Sequence, residues 1–392
     1  MAILSDKSVD LTVLSGSVHP ARRERFDRGR RPPSNLVCGL SMASEAQAGL
    51  RHVETSPAVW AFFARLFLIA AAVVGFAALL GIAILDPYGL RAVPGHPPGP
   101  IMDTNQRLSY PQIARGGTFD AVVFGTSTAR LLDPAALDAA FDARFANLAM
   151  NAATPDEQIR LAELFLAHQP VKAVLFGLDT TWCAADPPAR TANAFPDWLY
   201  ETGTPWGVLH QFSLRALTTA TQAGLTRLGL TRARIRPDGY AVFTPPEALY
   251  DAARARAHIR AGALDSAASS DRPDAPMPAL ARLDALLGRV PPNAMKLIAF
   301  MPVHVAAQGA PGTPAGRREQ ACKARVAAIG AGHGAVVVDF RFASPVTTQD
   351  ANYWDALHYR LPVAARIVAG LKEAVSAGAG DPAGFYRVLA HP

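Results

Sequence analysis

The sequence predicts an α/β protein: a five-stranded parallel sheet flanked by helices, as a flavodoxin-like three-layer sandwich, preceded by one transmembrane helix. Three observations carry this prediction. Between Phe119 and Val375, short apolar, β-branched runs alternate with helical stretches, as a parallel sheet covered on both faces requires. Leu66 to Leu85, LFLIAAAVVGFAALLGIAIL, holds no charged residue, and at 1.5 Å per residue it is about 30 Å long, the thickness of a bilayer's hydrocarbon core. Half of the 392 residues are apolar, ample for a packed core and too many for a mainly disordered chain.

Residues 1–56 mix Ser, Gly, Pro and Arg without periodicity and read as a disordered basic tail. Arg22, Arg23, Arg25, Arg28, Arg30 and Arg31 crowd into one part of it, and Met42 is an alternative start. The transmembrane helix is placed at 60–86, with Trp60 and Tyr88 as interfacial anchors. A cleaved signal peptide fits less well, because Leu85-Asp86-Pro87-Tyr88 offers no small-residue cleavage site. Arg51 and Arg65 precede the apolar run and only Arg91 follows closely. The positive-inside rule then keeps the N-terminus cytoplasmic and exports everything beyond Asp86. Residues 87–118, with Pro94, Pro97, Pro98 and Pro100, read as a stiff stalk.

The remainder, 119–392, is the α/β domain. Asp120 to Phe124 is the first strand, cut off by Gly125-Thr126-Ser127. Asp133-Pro134 supplies the cap and first turn of a helix to Phe141. Phe145 to Met150 is the second strand, and Thr154-Pro155-Asp156-Glu157 is a capping box opening a helix to His168. Val171–Leu178, Lys296–Val303 and Ala335–Phe340 supply the third, fourth and fifth strands, with a helix over Glu319–Ile329 between the last two. Leu361 to Val375 closes the domain, with Val363, Ile367, Val368 and Leu371 on its buried stripe. Residues 184–292 form an insertion far longer than a crossover needs. Within it Pro205–Leu230 and Pro246–Ala261 read as helices and Leu280–Leu287 as the crossover helix. On the ligand side the insertion would be a lid or an acceptor-binding surface; elsewhere it is a structural decoration.

The net charge of +6 invites a nucleic-acid partner, but the chain has no helix-turn-helix, zinc-finger or RNP-like pattern, and none is expected. Cys38, Cys183 and Cys322 lack CxxC spacing, which argues against zinc. Cys183 and Cys322 are expected as buried free thiols, with a disulfide the alternative in an oxidising compartment. No Walker-type or dinucleotide glycine pattern occurs, so no cofactor is expected.

Ligands of open α/β sheets bind beyond the carboxyl ends of the strands. That makes Ser127 a candidate nucleophile, where the plainer reading is a turn serine. Asp355-Ala-Leu-His358 follows the fifth strand and shares that edge. An Asp three residues before a His can fold back and orient the imidazole toward a nucleophile. This reading requires the Ser127 hydroxyl and the His358 ring to lie roughly 3 Å apart. His304, ending Met301-Pro-Val-His304, is a candidate substrate contact against a structural role. Trp182 is a sugar-stacking platform or core, and Arg130 a partner for an anionic substrate or a salt-bridged surface group.

On Gly125-Thr126-Ser127, Asn147-Leu-Ala-Met-Asn-Ala152, Gly177-Leu-Asp179 and Trp354-Asp-Ala-Leu-His-Tyr359, the chain resembles the SGNH (GDSL-like) hydrolase superfamily. The likeness covers roughly residues 119–375 and is nearest to membrane-anchored members of the bacterial cell envelope. It implies Ser127 as nucleophile, His358 as general base and Asp355 as its orienting carboxylate. Thr126 replaces the usual Asp before the serine, and Ala152 stands where a glycine N–H helps hold the oxyanion. Asp179 occupies the place of an asparagine donor, and Asn151 is a candidate replacement amide. The implied function is a serine esterase or O-acyltransferase in the bacterial inner-membrane bilayer, with its C-terminal domain periplasmic. It would act on acyl, foremost acetyl, esters of an extracytoplasmic polysaccharide, beside an envelope polysaccharide assembly complex. The alternative is a non-catalytic glycan- or partner-binding protein of the same fold.

Overall fold

The computed structural model describes residues 56–91, 95–96, 99–191, 195–201, 207–264 and 274–392. The basic tail with its arginines, Met42 and Cys38, and also Pro94, Pro97, Pro98 and Pro205, lie outside the described residues. The chain divides into two compact units, Met1–Val74 and Gly75–Pro392. Helix α1 (Pro57–Leu85) begins in the first and ends in the second. Its 29 residues are long and apolar enough to cross a membrane. In the first unit Trp60 meets Phe63 edge-on and Phe63 stacks on Phe67, the neighbours three and four apart that a helix face creates.

The second unit is built on a six-stranded sheet in the order β2-β1-β3-β4-β5-β6. The strands are β1 (Ala121–Gly125), β2 (Phe145–Asn147), β3 (Ala173–Leu178), β4 (Met295–Phe300), β5 (Val336–Asp339) and β6 (Arg387–Ala390). β1 to β5 run parallel, and β6 lies antiparallel on β5. The expected five strands are therefore six among the described residues. β6 is four residues of mixed character beyond the last helix, too short to show a period, and it covers the edge that β5 would otherwise expose.

Successive strand residues face opposite ways, and two core clusters result. Val122, Phe124, Val174, Phe176, Ile298 and Phe300 join α2 (Gln106–Arg115), α4 (Pro155–His168), α7 (Pro278–Leu287) and α8 (Pro314–Gly332) on one face. Ala121, Val123, Leu175, Leu297 and Val338 meet α3 (Pro134–Phe141) and α9 (Leu361–Ala377) on the other. The capping box of α4 is complete, Thr154 and Glu157 each binding the other's backbone N–H.

The stalk expected at 87–118 is corrected. Residues 106–115 form α2, capped by Asn105 and packed against α4. Pro111 inside this helix cannot donate to the Arg107 carbonyl, and the Tyr200 hydroxyl, 3.0 Å away, takes its place. Arg107 is itself buried and pairs with buried Glu157 at 2.6 Å. An interior proline and a run of polar residues hid this helix from a hydrophobic-period reading. Tyr88, expected at the membrane interface, is buried with its ring edge on Trp198, and burial raises its hydroxyl pKa to about 12.

Two further expectations change. Cys183 and Cys322 are joined in a disulfide, not held as free thiols, tying the turn after β3 to α8. The insertion helices start later than their prolines suggested. Ser213 caps α5 (Leu214–Arg227) and Asp251 caps α6 (Ala252–Ala261), because a side-chain oxygen that accepts the orphan N–H groups fixes a helix start more firmly than a nearby proline.

Candidate active site

Ser127 lies in the tight turn that follows β1, with Ala129 N–H on the Thr126 carbonyl and Arg130 N–H on that of Ser127. Gly125 makes this turn possible. A Cβ there would lie 2.9 Å from the Gly177 carbonyl on β3 and 2.8 Å from the Ala129 methyl, so only a bare backbone lets the turn fold back over the strand ends. The Asn147 amide, at the end of β2, donates to the carbonyls of Ala129, Arg130 and Leu132. From the other side the Tyr359 hydroxyl donates to the Thr128 carbonyl. The Ser127 turn is thus clamped by buried polar groups on both flanks.

Asp355 and His358 sit in a loop closed on itself by the Tyr353–Tyr359 bridge and by Trp354 N–H on the His358 carbonyl. The Asp355 carboxylate accepts the N–H groups of Leu357 and His358 at 2.8 and 2.9 Å, which folds the four residues back within one turn. Its Oδ2 then lies 2.8 Å from His358 Nδ1, and His358 Nε2 lies 2.9 Å from Ser127 Oγ. With Nδ1 carrying the proton toward the carboxylate, Nε2 is left to accept from the serine. Burial pushes the Asp355 carboxyl up, but the hydrogen bond and charge of His358 and the two N–H groups outweigh it, leaving it below its usual value. The side chains of His358 and Asp355 are 20% and 23% exposed, so the row opens to solvent.

The insertion reaches this site. Asn147 N–H donates to the Asp238 carbonyl along the outer edge of β2, and Gly239 has φ of 83° where a Cβ would lie 2.3 Å from the Asn147 carbonyl. The rings of Phe243 and His358 then meet near perpendicular, centroids 5.4 Å apart, while the Arg130 guanidinium lies 4.6 Å from the Phe243 ring centre. Further along, Glu247 binds Arg360 and the Leu361 N–H at the start of α9, just beyond the Asp355–His358 loop. Sequence reading missed Phe243: a lone aromatic in an irregular segment carries no period or motif.

The remaining candidates separate. Ala152 has φ of 48°, a left-handed conformation that glycine adopts most readily, directly after the Asn151 peptide. The Asn151 Oδ1 accepts from buried Arg130 at 2.8 Å, which fixes the amide by its oxygen. Asp179 accepts the N–H and hydroxyl of Thr181, capping the turn that leads to Cys183, and as a carboxylate it supplies no donor. His304 is not brought to Ser127. Its Nδ1 accepts the Ala306 N–H, its Nε2 lies 3.1 Å from Asp350, and its own N–H holds the Ala356 carbonyl. It thereby braces the Asp355–His358 loop, which is the structural role of the two readings and not the substrate contact. Trp182 is fully buried core. Among the described residues no cluster of His, Cys, Asp and Glu is arranged to hold a metal ion. The sequence matches no protein-family model, and no curated protein matches it.

Proposed function

We propose that the protein is a membrane-anchored serine esterase or O-acyltransferase that acts on acyl esters of an extracytoplasmic polysaccharide. The observation that carries this reading is the unbroken row Ser127–His358–Asp355, with contacts of 2.9 and 2.8 Å at the carboxyl edge of a parallel sheet. The strand order β2-β1-β3-β4-β5 supports the flavodoxin-like, three-layer arrangement in which such a row recurs. Ser127 Oγ attacks the ester carbonyl as its proton passes to His358 Nε2, and Asp355 stabilises the imidazolium that forms. The leaving alcohol takes that proton as the C–O bond breaks, leaving an acyl-Ser127. Water or a sugar hydroxyl then gives its proton to His358 and attacks the acyl carbon; the acyl–Ser127 bond breaks, His358 returns the proton to Ser127 Oγ, and the acyl group leaves as free carboxylic acid or new ester. The Ala152 N–H and the Asn151 amide are the donors assigned to the oxyanion, each of a kind whose loss costs on the order of 100- to 1000-fold in rate.

In this reading α1 crosses the inner membrane with the N-terminus cytoplasmic, and the Cys183–Cys322 bridge supports an oxidising compartment for the domain. The test is a fluorophosphonate probe on the full chain: it labels the protein, and Ser127→Ala abolishes labelling. Equal labelling of both proteins refutes the assignment. One observation favours a second reading, a non-catalytic glycan- or partner-binding module: at Asp179, where an amide donor is expected, a carboxylate instead caps the turn at Thr181. Under that reading Ser127→Ala leaves the cellular phenotype intact.

A further inference from the structure

Outside α1, the large apolar side chains that the described structure leaves in solvent concentrate in one stretch. Leu209, Phe212, Leu214, Leu225, Leu228 and Leu230 all belong to α5 and its flanks. Leaving such residues in water has no benefit for a free-standing domain, and apolar side chains gathered in this way mark a contact surface. The C-terminal end of α5 is the informative part. Leu228 and Leu230 are 75% and 68% exposed and project from a turn at Gly229, whose φ is 74°.

The same turn is fastened to the end of α1. A Cβ on Gly224 would lie 3.5 Å from Leu85, and the Arg227 guanidinium donates to the Leu85 carbonyl, the last of the apolar helix. Asp86 follows at φ of 44° and folds its carboxylate over the N–H groups of Leu90 and Arg91. The backbone of Arg234 and Ile235 pairs with Ile101 nearby. Leu225–Arg234 therefore lies within a few residues' reach of the point where α1 would leave the hydrocarbon. That stretch also carries exposed Arg227, Arg232 and Arg234 and no acidic residue.

We propose that the turn Leu225–Arg234 rests on the lipid surface. Its leucines enter the boundary between headgroups and acyl chains, and its arginines face anionic lipid phosphates. The continuity with α1 and the uniform positive charge both select a membrane as the occupant. This rests on the membrane reading of α1. The test uses the full chain with Cys38→Ser, reconstituted in vesicles of phosphatidylcholine and phosphatidylglycerol, with an environment-sensitive fluorophore at Leu228→Cys. A second protein carries it at Leu79→Cys in α1. Blue-shifted emission at both sites, quenched by dibrominated lipid, supports the proposal. Quenching at position 79 alone overturns it while leaving the membrane span standing, and quenching at neither overturns the span as well. A blue shift at position 228 without lipid quenching points to a protein partner or a second copy and overturns the proposal. A shift at position 228 no larger with phosphatidylglycerol than with phosphatidylcholine alone overturns the role given to the arginines.

Discussion

Replacing Cys183 and Cys322 together by alanine tests the part of the architecture that sequence spacing left open. The bridge joins residues 139 apart, and the loop-closure relation gives about 17 cal/mol/K of unfolded-chain entropy removed, or about 5 kcal/mol at 25 °C. Both half-cystines are buried, so the double variant also loses some packing. Native bridges of this kind contribute about 2–5 kcal/mol on removal. The expected loss is therefore near the top of that range. Urea unfolding of the full chain in detergent, followed by tryptophan fluorescence, measures it. The denaturant slope should rise as well, because the unbridged unfolded chain exposes more surface. A thiol count adds an independent check: denatured without reductant, Cys38 alone reacts with a maleimide, and reductant frees the other two. A loss below about 1 kcal/mol would contradict the entropic reasoning, and full reactivity without reductant would refute the pairing itself.

Four other outcomes follow from the same geometry. Arg107→Met strands the buried Glu157 carboxylate and should cost about 3–5 kcal/mol in thermal denaturation, partly recovered by adding Glu157→Gln. Phe243→Ala removes the ring packed against His358, and a packing contribution of about 0.5–1.5 kcal/mol predicts up to about a tenfold fall in kcat/KM on a chromogenic acetyl ester. Ala152→Gly relieves a left-handed alanine and should raise stability by up to about 1 kcal/mol, with probe labelling at Ser127 preserved. Burial holds His304 below its ordinary pKa despite Asp350, so the unfolded chain binds that proton first. Stability then falls as pH drops through about 6.5, and His304→Gln should flatten that part of the urea-midpoint profile.

What could be read in the sequence was whatever depends on local pattern. The apolar runs of β1, β3 and β4, the complete capping box at Thr154 and the apolar length of α1 each declare themselves within a dozen residues. The pairing of Ser127 with His358 rested on an inference about topology, that both follow parallel strands and so emerge on one edge. The features that escaped were those decided by tertiary partners. α2 is a helix because the Tyr200 hydroxyl replaces the bond that Pro111 cannot make, and Tyr200 lies about ninety residues away. The place of His304 was set by Asp350 and Ala306, and not by the sheet edge that the sequence assigned to it together with Ser127. Phe243 reached the imidazole because Gly239 allowed the insertion to run against β2. None of these leaves a mark in hydrophobic periodicity.

The way α1 ends bears on how the domain is tethered. A domain hung on a flexible spacer sweeps a hemisphere and can chase a polymer outward from the bilayer. Here the end of α1 is tied into the second unit: the Leu85 carbonyl accepts from Arg227, the Asp86 carboxylate folds over the Leu90 and Arg91 N–H groups, and Tyr88 is buried against Trp198. In the membrane reading proposed for α1, a junction of this kind leaves only a short leash between the bilayer and the domain, and a glycine-serine spacer inserted at 85–90 would lengthen it.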